Sequence, residues 1–235
     1  MNLPAGALVE IKDLQAGYGE LQVLHGVTMS VEFGQAVCLL GRNGAGRSTI
    51  VKAMMGILRP RGGQIRISGR PTAASPIHSI AKLGLGWVPE GRRIIPTLTV
   101  RENLVAFSSR GSWTADRVYE LFPNLKRRAD TLGGALSGGE QQMLAIGRAL
   151  ATNPSILILD EATEGLAPLV RETIWEAVAY LKTQGLAMLI VDKELDQMLV
   201  VGDRHYIIEK GSVVWSGNSD AFRADRAALE MFLGV

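Results

Sequence analysis

A single cysteine, Cys38, rules out an intrachain disulfide and suits a reducing, cytosolic setting. Charge of either sign is also scarce in excess: 25 Lys and Arg stand against 23 Asp and Glu, and no long basic run is present. A nucleic-acid partner gripped through its phosphates is therefore disfavoured. No apolar run approaches the roughly 18 to 20 residues needed to cross a bilayer, and no signal-like stretch opens the chain. Any membrane role is expected to come through a partner. Internal repeats and low-complexity tracts are absent as well. With 235 residues, the chain can bury one substantial core and has room for an inserted subdomain.

Residues Leu8 to Gln15 and Val23 to Phe33 alternate apolar and polar positions, which predicts an antiparallel β layer. From Ala36 the pattern changes to short continuous apolar runs, in AVCLL, ILIL and AMLIV. Such runs predict parallel strands buried on both faces and interleaved with helices. Cys38 falls inside the first of them and reads as a buried strand residue. After Pro168, Val170, Ile174, Val178 and Leu181 recur at helical spacing, and Gly185 is a stop signal. Between Pro89 and Ala151, VRENLVAF, ADRVYELF and EQQMLAIGRALA favour helices, so a helical subdomain is expected at about residues 90–151. Arg59 to Gly63 reads as a turn, and RHYIIEKGSVVWSG as a hairpin.

The most informative string is GRNGAGRST, comprising Gly41, Arg42, Asn43, Gly44, Ala45, Gly46, Arg47, Ser48 and Thr49. It joins an apolar run to a helix-forming run, and its glycines allow successive N–H groups to turn inward at a helix N-terminus. That arrangement cradles phosphate; the plainer alternative is a Gly-rich turn that only ends a strand. Ser48 is placed to ligate Mg²⁺, with Thr49 near the nucleotide's α-phosphate. Asp160 follows four apolar residues and so lies at a buried strand's C-terminal end, where it can hold Mg²⁺ through water. Ser137, Gly138, Gly139 and Glu140 precede an apolar helix, a second place that suits an anion.

Together GRNGAGRST, LSGGEQQ and ILILDE resemble, in order and spacing, the ATP-binding subunit of ABC transporters over nearly the whole chain. LGWVPEGRRIIPTLTVRENL and DEATEGLAP make it most similar to the LivF-type ATPase of branched-chain amino acid importers. The resemblance implies an α/β P-loop ABC nucleotide-binding domain, spanning residues 7–235, with an antiparallel β layer and the inserted helical subdomain. It implies ATP and Mg²⁺, Tyr18 stacked on adenine, and Glu161 as the base that polarises the attacking water. Ser137, Gly138, Gly139 and Glu140 would hold the γ-phosphate bound by an opposite ATPase subunit. Two membrane permease subunits and, indirectly, a solute-binding protein complete the implied assembly, peripheral on the cytoplasmic face of a bacterial inner membrane. A urea or short-chain amide importer, a non-transport ABC ATPase and a nearly non-catalytic regulatory module are the rival readings.

Four positions depart from the family pattern. Arg47 stands for lysine, Glu90 for the Q-loop glutamine, Lys193 for the switch histidine and Ala167 for the D-loop aspartate. Glu90 and Ala167 suit the LivF-type subgroup. Arg47 is a planar fork where lysine is a point charge, so ATP binding is safer to expect than fast turnover. Glu90 and Lys193, both after strand ends, are expected to compensate one another near the γ-phosphate, Lys193 as a catalytic candidate and Glu90 as a nucleotide or metal ligand. The apolar group Ile94, Ile95, Leu98 and Val100 is expected to receive a membrane subunit.

Overall fold

The computed structural model describes residues 6–73, 75–225 and 232; the remaining positions of the expected 7–235 domain lie outside the described residues. Two early strands, β1 (Val9–Tyr18) and β2 (Leu21–Val31), pair antiparallel as their alternation predicts. β3 (Ala36–Leu40) leads through the glycine-rich turn into α1 (Arg47–Met54). β4 (Gly62–Ile67) and the short β5 (Arg70–Pro71) return to the first layer, whose order is β2-β1-β4-β5. The expected turn at Arg59 to Gly63 thus ends inside β4, because Gly62 pairs with Gln15 of β1.

Next come α2 (Ile77–Ala81), β6 (Leu85–Val88), α3 (Val100–Val105), α4 (Ala115–Leu121) and α5 (Pro123–Arg127). After a 3₁₀ turn, Gly133–Ala135, α6 (Gly138–Ala151) and β7 (Ile156–Asp160) follow. The last elements are α7 (Pro168–Thr183), β8 (Ala187–Val191), α8 (Leu195–Val201), β9 (Arg204–Glu209), β10 (Ser212–Gly217) and α9 (Ser219–Ala224). The second sheet has the order β10-β9-β3-β8-β7-β6, with β3, β6, β7, β8 and β9 parallel and β10 closing a hairpin on β9.

Alternation along the parallel strands sorts their side chains to two cores. Val37, Leu39, Ile156, Ile158, Leu189 and Val191 face the antiparallel layer and α1. Cys38, Leu40, Leu157, Leu159, Met188 and Ile190 face α6 and α7. A sheet covered on both sides explains why its strands read as unbroken apolar runs rather than as alternating ones. The helices of residues 90–151 contribute Val100, Leu104, Val118, Phe122 and Leu125 to the second of these cores. Val100 is fully buried, which removes it from the expected docking group because packing uses its apolar surface, while Ile94 is half-buried against the same core.

The register aligns the functional edge. Leu39 of β3 pairs with Val191 of β8, and Val191 with Asp160 of β7, so all three strands end at one level. The turns that leave them meet outside their C-terminal ends, where open parallel sheets bind ligands.

Candidate functional site

At that edge the turn after β3 runs into α1, whose N-terminal cap is Gly46 in the left-handed region with φ of 110°. Arg47 is the first residue of the helix, and its side chain turns inward and is buried. Its Nη2 donates to Glu161 Oε1 at 3.1 Å, and its Nη1 to the carbonyl oxygen of Asp192 at 3.4 Å. Ser48 Oγ donates to Asp160 Oδ1 at 3.0 Å. A hydroxyl and a carboxylate brought together in this way are hard oxygen donors, the set that suits Mg²⁺.

A cleft of about 510 Å³ is lined by Asn43, Gly44, Ala45, Gly46, Arg47, Ser48 and Thr49, with Tyr18, Glu90, Glu161, Glu164 and Lys193 around it. Nearly every residue singled out for nucleotide contact in the first half of the chain is therefore at one place. Gly41 and Arg42 line an adjoining hollow of about 200 Å³ with Asn43, Arg47, Asp192 and Lys193. Asp160 opens instead into a hollow of about 460 Å³ beside the cleft, where Ser48 and Glu90 are shared with it. Tyr18 is 44% exposed, and Lys52 Nζ lies 5.7 Å from its ring centroid, a cation–π contact that supports the ring.

Charge is unusually dense here. Carboxylate oxygens of Glu90, Glu161 and Glu164 lie within 4.8 Å of one another, and Arg47 and Lys193 line the same cleft. Burial, with Glu164 alongside, pushes the Glu161 carboxyl up to about 7, against the pull of Arg47. Asp160 is also raised, chiefly by burial, while Ser48 opposes the shift. Lys193 Nζ pairs with Glu164 Oε1, which raises the ammonium's pKa, while the Glu164 carboxyl is lowered first by hydrogen bonding with Glu161 and then by Lys193. The expected compensation between Lys193 and Glu90 is thus corrected: the partner of Lys193 is Glu164, since the turn after β7 brings Glu164 to the lip that Lys193 occupies.

Glu164 and Asp192 carry the arrangement yet were not singled out in the sequence. Asp192 is buried, accepts from Thr163 Oγ1 at 2.9 Å and from the Lys193 N–H at 2.7 Å, and so ties the turn after β7 to the turn after β8. Their only local signal was position, three residues after Glu161 in DEATEGLAP and one before Lys193. Glu161 itself has φ of 53°, and its N–H donates to Val191 O at 2.7 Å, which anchors its backbone to β8.

Ser137, Gly138, Gly139 and Glu140 do not line the cleft. They form the N-terminus of α6, closed by a capping box: Ser137 Oγ accepts from the Glu140 N–H at 3.3 Å, and Glu140 Oε2 accepts from the Ser137 N–H at 2.9 Å. Arg128 lies 3.6 Å from Glu140. Ser137 is exposed, so its end of the helix is open to a partner.

The sequence model of the ABC transporter family matches residues 24–164, a stretch from β2 through the turn that holds Glu164. The chain belongs to the ABC transporter family. The expected ABC cassette fold and ATPase class hold accordingly. Among similar proteins, the high-affinity branched-chain amino acid transport ATP-binding protein BraG of Pseudomonas aeruginosa is 39% identical over 92% of this chain and 95% of its own length. The lipopolysaccharide export system ATP-binding protein LptB of Haemophilus influenzae is 34% identical over 97% of this chain and 98% of its own. A solved structure of an ATP-binding subunit of an ABC transporter superposes on this cassette with a TM-score of 0.83 at 30% identity, covering 97% and 96% of the two chains. The dimeric post-hydrolysis cassette MJ0796 bound to ADP and Pi gives a TM-score of 0.79 at 25% identity, over 90% of this chain and 98% of that one.

Proposed function

We propose that this ABC ATPase binds ATP with Mg²⁺ in the cleft at the ends of β3 and β7 and drives uptake of branched-chain or related amino acids. The meeting of the phosphate loop, the Ser48–Asp160 contact and Glu161 at one edge carries the nucleotide reading. Backbone N–H groups of Gly44 to Ser48 would bind the phosphates, and Tyr18 would take the adenine. Ser48 and Asp160 would hold Mg²⁺, with Glu90 as a further ligand. The ion would neutralise charge on the phosphate oxygens. Glu161, with a carboxyl raised toward neutrality by burial, would orient the attacking water and accept its proton.

Ser137, Gly138, Gly139 and Glu140 would complete the site of a second ATPase subunit, whose own signature would close this cleft. The helices of about residues 90–151 would form the subdomain that meets two permease subunits at the cytoplasmic face of the inner membrane. A solute-binding protein would act indirectly. No helix among the described residues is long and apolar enough to cross a membrane, and peripheral attachment fits that observation. BraG and the LivF protein of Archaeoglobus fulgidus, 30% identical over 94% of this chain and 97% of its own length, favour amino acid import. LptB favours a second reading, an ATPase for export.

The assembly purified through this chain, reconstituted in vesicles with its membrane subunits and binding protein, should accumulate labelled leucine or a related amino acid on the side facing the ATPase. ATP hydrolysis with movement of solute in the opposite direction would overturn import in favour of the second reading.

A further inference from the structure

We propose that Arg47 is a latch on Glu161, closed in the nucleotide-free chain and opened by the terminal phosphate. The inference rests on the reading of the cleft as an ATP site. Both arms of the guanidinium are engaged below the cleft, one on Glu161 Oε1 and the other on the carbonyl of Asp192. The two paired side chains are only 4% and 14% exposed. Glu164, the neighbouring carboxylate, is in salt-bridge contact with Lys193, and Arg47 is the cation in direct contact with Glu161. The backbone of Glu161 is anchored on β8 through its own N–H, which leaves its side chain as the part that can respond.

A buried ion pair is costly to break when nothing replaces the lost partner. Arg47 therefore leaves the carboxylate only when an anion of equal or better fit arrives. A phosphate provides it, because its oxygens match the planar fork in pairs. The exchange frees the carboxylate of Glu161 for water at the moment the phosphate to be attacked is seated. Lysine could not do this in the same way: its ammonium is one compact charge and cannot span Glu161 and the Asp192 carbonyl as a fork does. The departure of Arg47 from the family pattern then has a purpose, which is to withhold the base until ATP is bound.

A latch closed in about nine molecules of ten lowers the apparent affinity about tenfold. The test uses the full chain with Mg²⁺ and compares a non-hydrolysable ATP analogue with ADP by calorimetric titration. Glu161→Gln should tighten the analogue about tenfold in the Arg47 chain and by less than about twofold in the Arg47→Lys background, since only coupling between the two residues survives such a cycle. ADP, without the terminal phosphate, should change less than about twofold in both. Equal tightening in the two backgrounds, or for both nucleotides, is a simple charge effect and overturns the latch. Failure of the unaltered chain to bind either nucleotide would instead sink the ATP reading. Should Arg47→Lys not fold, Glu161→Asp, with a carboxylate one methylene shorter, must tighten the analogue selectively over ADP; no selectivity overturns the proposal.

Discussion

Alanine at two glycines of the phosphate loop, three residues apart, should have very different costs. Gly41 has φ of 145°, and a Cβ there would lie 2.3 Å from the carbonyl oxygen of Ile208 and 3.3 Å from the Cβ of Ala45. An ordinary carbon–oxygen contact is about 3.3 Å or more, so the β3 and β9 backbones, paired at Leu40 and Ile207, must part by about 1 Å. Strained φ costs about 1–3 kcal/mol and overpacking a further 1–3 kcal/mol or so, giving about 4 kcal/mol for Gly41→Ala. Gly44 has φ of 78° with nothing within 4 Å of its Cβ position. Gly44→Ala should cost about 1 kcal/mol, the left-handed penalty alone. For a chain of this size, at about 2–4 °C per kcal/mol, thermal melts followed by circular dichroism should fall about 8–16 °C for the first and about 2–4 °C for the second. Equal shifts would refute the reasoning, because the methyl at position 41 meets the β9 backbone in a more strained conformation while the one at position 44 meets nothing within 4 Å.

Ser137→Ala removes the cap of α6 and should lower stability by about 1 kcal/mol in a urea titration, while reducing ATPase activity of the assembled complex at the partner's site. His205 is buried, and that burial holds its imidazole down to about 4. Because the unfolded chain takes up this proton near the ordinary value of about 6.5, the stability that neutral His205 supports is full above that pH and is lost as pH falls toward 4. Between pH 7.5 and 5 the chain should lose about 2 kcal/mol of unfolding free energy relative to His205→Gln, a comparison that cancels the opposing contribution of raised carboxyls such as Glu161. Cys38 is fully buried and its thiol is pushed far up by burial, so a thiol reagent should label it only at the rate of unfolding; rapid labelling of the native chain would contradict its place in the core.

Much of this protein was legible in local sequence. The glycine pattern, the apolar runs ending in Asp160 and the serine before α6 each specify a turn, a buried strand or a helix start through the backbone and its nearest neighbours, so AVCLL, ILILD and AMLIV read directly as strands of a doubly covered sheet. The strand β4 was less legible, because its Gly62 and Gly63 read as a turn and only pairing with β1 makes them a strand end. Tertiary structure alone decided the partners of the charges. Arg47 and Glu161 are 114 residues apart in sequence, and Lys193 and Glu164 are 29 apart; neither pairing leaves a trace in local pattern. Both follow from the order of β3, β8 and β7 in the sheet, which sets three strand ends side by side and lets ion pairs form according to reach and burial rather than sequence proximity.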